Sequence, residues 1–257
     1  MLRDFSKESF DIIIQAGQSN AEGYAFGDVD NPYQPNDRVY YLNGDFSISE
    51  AAERVAGNGV QSNFSLSFVR EYMKAGYLKE GRSLLIVRAA VGGTGFIDGH
   101  WKTEDELYIR MINMTKTALE LNPDNRLIAL LWHQGESDAD FEVPIQSETH
   151  YKHFSTLVNS VKETFNVPDL PFVAGDFVHH WKNRYIEKCT PVVDAMRAVC
   201  NDIVGGGFVE TDGLLSNMQE NSFHPLGWEG DSVHFSRRAI YELGERYFKC
   251  FEEIVKK

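Results

Sequence analysis

Short, nearly continuous apolar runs alternate along this chain with stretches of helical periodicity. The runs at 10–15, 38–42, 83–91, 126–132 and 171–178, with a shorter one at 208–210, predict strands. Because they are apolar throughout rather than at every second position, they suit parallel strands covered on both faces. Between them, Leu107, Met111, Met114, Ala118 and Leu121 recur at the spacing of one helix face, and Asn122-Pro123 ends that helix. Ile240, Leu243, Tyr247, Phe251 and Ile254 predict a final helix with Ser236 as its N-cap. The Met and aromatic members of both stripes are expected in the core. Alternating β and α elements predict an α/β protein, a parallel central sheet in a doubly wound sandwich, with ligands gathered outside the carboxyl ends of the strands. No repeat, low-complexity tract or linker divides 1–257, so one domain is expected. The irregular stretches 23–35 and 212–230 are long for plain connections and are expected to border a site.

Composition narrows the function. Of 257 residues, 42% are hydrophobic and 25% charged, which are ordinary globular values. A formal net charge of −13 without a Lys/Arg cluster argues against a nucleic-acid partner. No apolar run reaches the roughly 18 residues of a membrane span, so no membrane partner is expected. The opening apolar segment follows several charges and runs into a polar motif, so it reads as a strand rather than a secretion signal. Cys189, Cys200 and Cys250 are odd in number and lack metal-like spacing, which suggests reduced thiols. A cytoplasmic location is the expectation, or a secreted or periplasmic one if a leader has been removed. Nothing in the pattern sets an oligomeric state.

Three predicted strands run into small polar motifs: AGQSN at 16–20, VGGTG at 91–95 and HQGESD at 133–138. A fourth, DSVH at 231–234, precedes the last helix. Each has a plain reading. Ser19 alone would be an N-cap. The glycines at 92–95 fail the dinucleotide fingerprint, since Asp98 stands where its last glycine belongs, and no Lys-Ser/Thr follows either glycine motif to make a P-loop. His133, Glu136, Asp138 and Asp140 could suggest a metal, but loop acids are commonly just solvated; no metal and no cofactor is expected. His179 and His180 end a predicted strand, where neighbours face opposite ways, so at most one would face a site.

Together the motifs say more. Acyl transfer by serine needs a base for the hydroxyl proton, a carboxylate to orient that base, and donors for the developing oxyanion. Ser19 supplies the nucleophile, His234 the base and Asp231 the orienting carboxylate. The Ser19 N–H, the Gly92 N–H and the Gln134 side-chain amide are the expected oxyanion donors, with Gly93 as the alternative to Gly92.

In their order along the chain, AGQSNAEG, VGGTG, WHQGESD and DSVH resemble the blocks of the SGNH (GDSL-like) hydrolase superfamily. More narrowly, they resemble its sialate O-acetylesterase-like branch, which includes acetylxylan esterases. The resemblance implies a flavodoxin-like three-layer α/β/α fold, metal-free catalysis on Ser19, Asp231 and His234, an oxyanion hole at Ser19, Gly92 and Gln134, and removal of acetyl groups from sugars such as acetylated xylan fragments or sialic acid. The chain departs from the pattern at His133, where relatives often carry an aromatic residue, and at Ser232-Val233, which replaces Gly-Leu. Asn20, Glu22, Gly93, Glu136, Trp101 and the region of Trp228 are candidates for substrate contact or loop support, with Glu136 expected to accept amides from the Ser19 loop. The alternatives are a lipase or thioesterase of the same superfamily and a carbohydrate-binding pseudoenzyme.

Overall fold

The computed structural model describes residues 4–57, 59–140, 142, 145–220 and 230–257. Strand β1 (Ser9–Gly17) leads into a single helical turn, α1 (Ser19–Glu22). After a long irregular segment come β2 (Val39–Leu42), β3 (Ile48–Glu50), a small hairpin of β4 (Arg54–Ala56) and β5 (Gly59–Gln61), and helix α2 (Phe64–Lys74). Next are β6 (Arg82–Arg88), α3 (Glu106–Glu120), β7 (Arg126–His133), the short α4 (Glu136–Asp140) and α5 (Ser147–Phe165). The chain closes with β8 (Phe172–Gly175), α6 (His179–Arg184), α7 (Ile186–Asp202), β9 (Gly206–Val209) and α8 (Arg237–Val255).

Seven strands form one sheet in the order β3-β2-β6-β1-β7-β8-β9, and β3 alone runs antiparallel to its neighbour. The central strand β1 is covered on both faces, which is why Phe10, Ile12, Ile13 and Ile14 form an unbroken buried run. Two adjacent glycines prove the three layers. A Cβ at Gly206 would strike the Cys200 carbonyl of α7, and one at Gly207 would strike the Cys250 sulfur of α8. Successive residues of a strand face opposite sides, so α7 and α8 lie on opposite faces of the sheet. Helix α2 packs on α8, and α5 on α7, completing the two outer layers.

The path crosses from β6 on one side of β1 to β7 on the other, so the strand order reverses at β1. The crevice that this reversal opens lies at the carboxyl end of β1, between the segments that follow β6 and β7. Gln15 pairs with Arg88 and Gly17 with His133, which sets three of the polar motifs side by side.

Both predicted helices are present. Leu107, Met111, Met114 and Ala118 are buried, and the Ser236 hydroxyl accepts from the Ala239 N–H at 3.2 Å as the cap of α8. The run at 83–91 overshoots, because β6 stops at Arg88 and the chain beyond it bends over β1. The run at 171–178 overshoots likewise. His179 and His180 open α6 instead of ending a strand, so the alternation argument does not apply to them. The three-residue strands β3, β4 and β5 were not expected; segments that short carry no readable period.

Candidate active site

Gln18 has extended dihedrals, φ −113° and ψ −151°, and is itself the N-cap of α1. Ser19 is therefore the first helical residue, and its hydroxyl is directed away from the helix. This corrects the capping reading. Its Oγ lies 2.8 Å from His234 Nε2. His234 Nδ1 lies 2.9 and 3.0 Å from the two Asp231 oxygens. An ionised carboxylate only accepts, so Nδ1 carries the proton; Nε2 of the neutral ring is then bare and accepts from the Ser19 hydroxyl. Burial would raise the Asp231 carboxyl, but the His234 and Asn217 donors outweigh it and hold it below the ordinary value.

Asn217 supplies support that no motif announced. Its Nδ2 donates to Asp231 Oδ2 at 2.8 Å and to the Tyr24 carbonyl at 2.9 Å, while its Oδ1 accepts from the Phe26 N–H at 3.0 Å. It thus ties the carboxylate to the segment that follows α1. Tyr24 stacks on the His234 ring, 5.2 Å between centroids.

Asn20 joins three of the motifs. Its Nδ2 donates to Glu136 Oε1 at 2.6 Å and to the Val233 carbonyl at 3.0 Å, and its Oδ1 accepts from the Phe235 N–H at 3.2 Å. With every polar atom engaged, Asn20 is a brace of the site. Gln18 adds a second tie, its Oε1 accepting from the N–H groups of Gly135 and Ser137 at 3.3 and 3.0 Å. Glu136 accepts the Asn20 side-chain amide and faces His133 Nε2 at 3.5 Å. Burial would push its carboxyl up, yet His133 and Asn20 leave it below the ordinary value. Its Oε2 is buried and has no hydrogen-bond partner. The Tyr247 hydroxyl donates to the Trp132 carbonyl at 2.8 Å, so at 3.0 Å from His133 Nδ1 it is the acceptor, which turns Nε2 toward Glu136.

The expected oxyanion donors fare unevenly. The Ser19 N–H heads α1, where a helix offers no internal acceptor. The Gly92 N–H donates to Glu22 Oε2 at 2.7 Å, so Glu22 braces the glycine loop. Gly93 lines the same cavity at φ +70°, and no described acceptor takes its N–H. Gln134 is a correction. Its side chain is fully buried, and its amide donates to Asp138 Oδ2 at 2.8 Å and to the Thr94 carbonyl at 3.4 Å. Asp138 is anchored in turn by the N–H groups of Phe96 and Ile97, both at 2.9 Å, so Gln134 and Asp138 fasten the glycine loop to α4.

Trp101 is a second correction. It is fully buried, its Nε1 donating to Thr94 Oγ1 at 2.9 Å, and it supports the glycine loop from beneath. Trp228 lies outside the described residues. The aromatic rings on the cavity wall are instead Tyr24 and Trp181, which no pattern singled out. The cavity, about 370 Å³, opens over Ser19 and His234 and is bordered also by Gln18, Gly92, Gly93, Glu136, Ser137, Asp140 and Val233. Among the described residues, no three His, Cys, Asp or Glu side chains gather as a metal site, and no helix is long and apolar enough to cross a membrane.

A serine, a histidine and an aspartate meet at the carboxyl edge of this three-layer sheet, an arrangement that serine hydrolases of several folds share. Residues 9–253 match the model of the carbohydrate esterase, sialic acid-specific acetylesterase family, and the chain belongs to that family. A probable 9-O-acetyl-N-acetylneuraminic acid deacetylase of Escherichia coli (strain K12) is 25% identical over 133 residues. That match takes in 42% of this chain and 40% of the relative's length. The crystal structure of NanS superposes with a TM-score of 0.82 at 19% identity, over 97% of this chain and 98% of NanS. A protein from Arabidopsis thaliana gives 0.72 at 21% identity, over 95% and 98%.

Proposed function

We propose that this protein is a serine esterase that removes O-acetyl groups from a carbohydrate through an acyl-enzyme on Ser19. The hydrogen-bonded line from Asp231 through His234 to Ser19 Oγ carries the reading. Family membership supports the acetylated carbohydrate, as do Tyr24 and Trp181, whose rings suit sugar faces. Ser19 Oγ attacks the ester carbonyl as its proton passes to His234 Nε2, and Asp231 stabilises the imidazolium that forms. The oxyanion forms against the Ser19 N–H and the Gly93 N–H. Its collapse expels the sugar oxygen, which takes the proton from His234. Water then attacks the acetyl-serine, giving a proton to His234, and acetate leaves as that proton returns to Ser19.

The test is hydrolysis of 4-nitrophenyl acetate by the native chain and by Ser19→Ala. Loss of a triad member is expected to cut kcat by about 10⁴-fold or more. Equal rates in the two would overturn the reading. A longer-chain aryl ester series should show rates falling beyond acetate.

A further inference from the structure

The ring of Tyr24 lies against the side chain whose charge changes during the proposed reaction. Its centroid is 5.2 Å from that of His234 and the two planes differ by 23°, so the imidazole meets the face of the phenol ring. Three contacts fix the ring there. Gly92 borders it, and a Cβ built on that glycine would come within 3.5 Å of Tyr24 Cε2. The Gly23 N–H, one residue earlier, donates to the Ser19 carbonyl at 2.9 Å. The Tyr24 carbonyl accepts from Asn217 Nδ2, the same nitrogen that donates to Asp231 Oδ2. One amide therefore ties together the carboxylate at Nδ1 of His234 and the backbone of the ring on its face.

The ring is a neutral phenol. Burial, and then Glu22, push its hydroxyl above the ordinary value, while Arg54 acts the other way. Around His234 stand Asp231 on its own segment and Tyr24 from the segment after α1, and Glu136 and Asp140 of α4 border the same cavity. A neutral imidazole gains little from an aromatic face, whereas a cation within about 6 Å of a ring centroid is attracted by the ring quadrupole. His234 is neutral while it accepts from the Ser19 hydroxyl. It becomes an imidazolium only as Ser19 Oγ bonds to the ester carbon and the hydroxyl proton passes to Nε2. An attraction that appears with that transfer favours the transition state over the ground state.

We propose that Tyr24 is a positioning residue of this reaction, stabilising the His234 imidazolium through the face of its ring. The inference rests on the serine-esterase reading and adds a fourth member to the line from Asp231 to Ser19. Asp231 acts in the plane of the imidazole, at Nδ1; Tyr24 acts on its face.

The experiment measures kcat/KM for 4-nitrophenyl acetate against pH in the native chain, in Tyr24→Leu and in Tyr24→Phe. It repeats the measurement on Tyr24→Phe carrying one, two and three ring fluorines, which keep the shape and progressively weaken the negative face. Tyr24→Leu should lower the plateau about 3- to 10-fold, the range for a partly buried cation on an aromatic face. Its acid limb should move to lower pH, because the imidazolium of the free enzyme loses the same partner, and the two profiles should approach each other in acid. The NMR titration of His234 should move in the same direction, independently of turnover. Tyr24→Phe should recover most of the loss, and each added fluorine should lower the plateau again. Should Tyr24→Leu not fold, the fluorinated series decides alone. A plateau that fluorination leaves unmoved, or an acid limb and a His234 titration unshifted in folded Tyr24→Leu, overturns the inference. So does an effect confined to KM for an acetylated sugar, which would make Tyr24 a sugar contact only. Native turnover with a flat fluorine series sinks this inference alone, whereas no turnover by the native chain sinks the esterase reading and this inference with it.

Discussion

The two ends of β1 carry two buried polar clusters built on opposite principles. At its start, Asp11 is fully buried, and every acceptor position is taken. Oδ1 receives Arg82 Nε and Arg126 Nε, both at 2.7 Å; Oδ2 receives the Tyr72 hydroxyl at 2.9 Å and a second Arg126 nitrogen at 3.1 Å. At its end, Asp231 and Asn20 are similarly satisfied, but Glu136 Oε2 has no partner and the Gly93 N–H is unclaimed. Saturated groups hold a structure together; a buried carboxylate oxygen or an exposed loop N–H left open beside a cavity is available to a ligand. The contrast assigns stability to the amino edge of the sheet and chemistry to the carboxyl edge.

The sharpest break of this contrast is at Asp231. Asp231→Asn should lower kcat by about 10⁴-fold, because the imidazole loses the partner that fixes its tautomer. Steady-state kinetics with thermal unfolding will read it, and a large stability loss with kcat retained would erase the distinction between the two ends. Asp11→Asn should do the reverse. Leaving Arg82 and Arg126 without their carboxylate should cost about 3–5 kcal/mol of unfolding free energy, measured by urea denaturation, with kcat of the folded protein unchanged.

Acid should act on both ends together. Burial alone would raise the Asp11 carboxyl, but Arg126, Arg82 and Tyr72 hold it below its ordinary value of 3.8. Asp231 is lowered in the same sense. A depressed carboxyl contributes stability that is complete above its unfolded value and lost as pH falls through the folded one. The urea midpoint should therefore decline below about pH 4, and Asp11→Asn should flatten that decline; a flat native profile would contradict the depressed carboxyls. The smallest effect is at Trp101. Trp101→Phe removes one buried hydrogen bond to Thr94 and should cost about 1 kcal/mol, with KM for an acetylated sugar unmoved. A raised KM there would restore Trp101 as a sugar contact.

Much of this was legible before any fold was known, though unevenly. The central strands were readable because burial on both faces leaves them apolar at every position, and the terminal helix because Tyr247 and Phe251 recur at its period behind a serine cap. Ser19, Asp231 and His234 stood out as residue types in short motifs at strand or helix boundaries. Gln134 and Trp101 misled because their types suit a site while their side chains turn inward to brace the glycine loop. Asn217, Tyr24 and Trp181 gave no signal, since each matters through one contact or surface reached across the fold.

By itself, then, the amino-acid sequence determined the layered α/β architecture and singled out the candidate reacting groups, because periodicity and local motif chemistry are encoded within a few residues. Only the tertiary structure decided which donors remain open to a substrate. Glu22 holds Gly92, Asp138 holds Gln134, and Gly93 is left free by side chains arriving from other segments. Directions of that kind are set by packing between distant strands and helices, and no local pattern contains them.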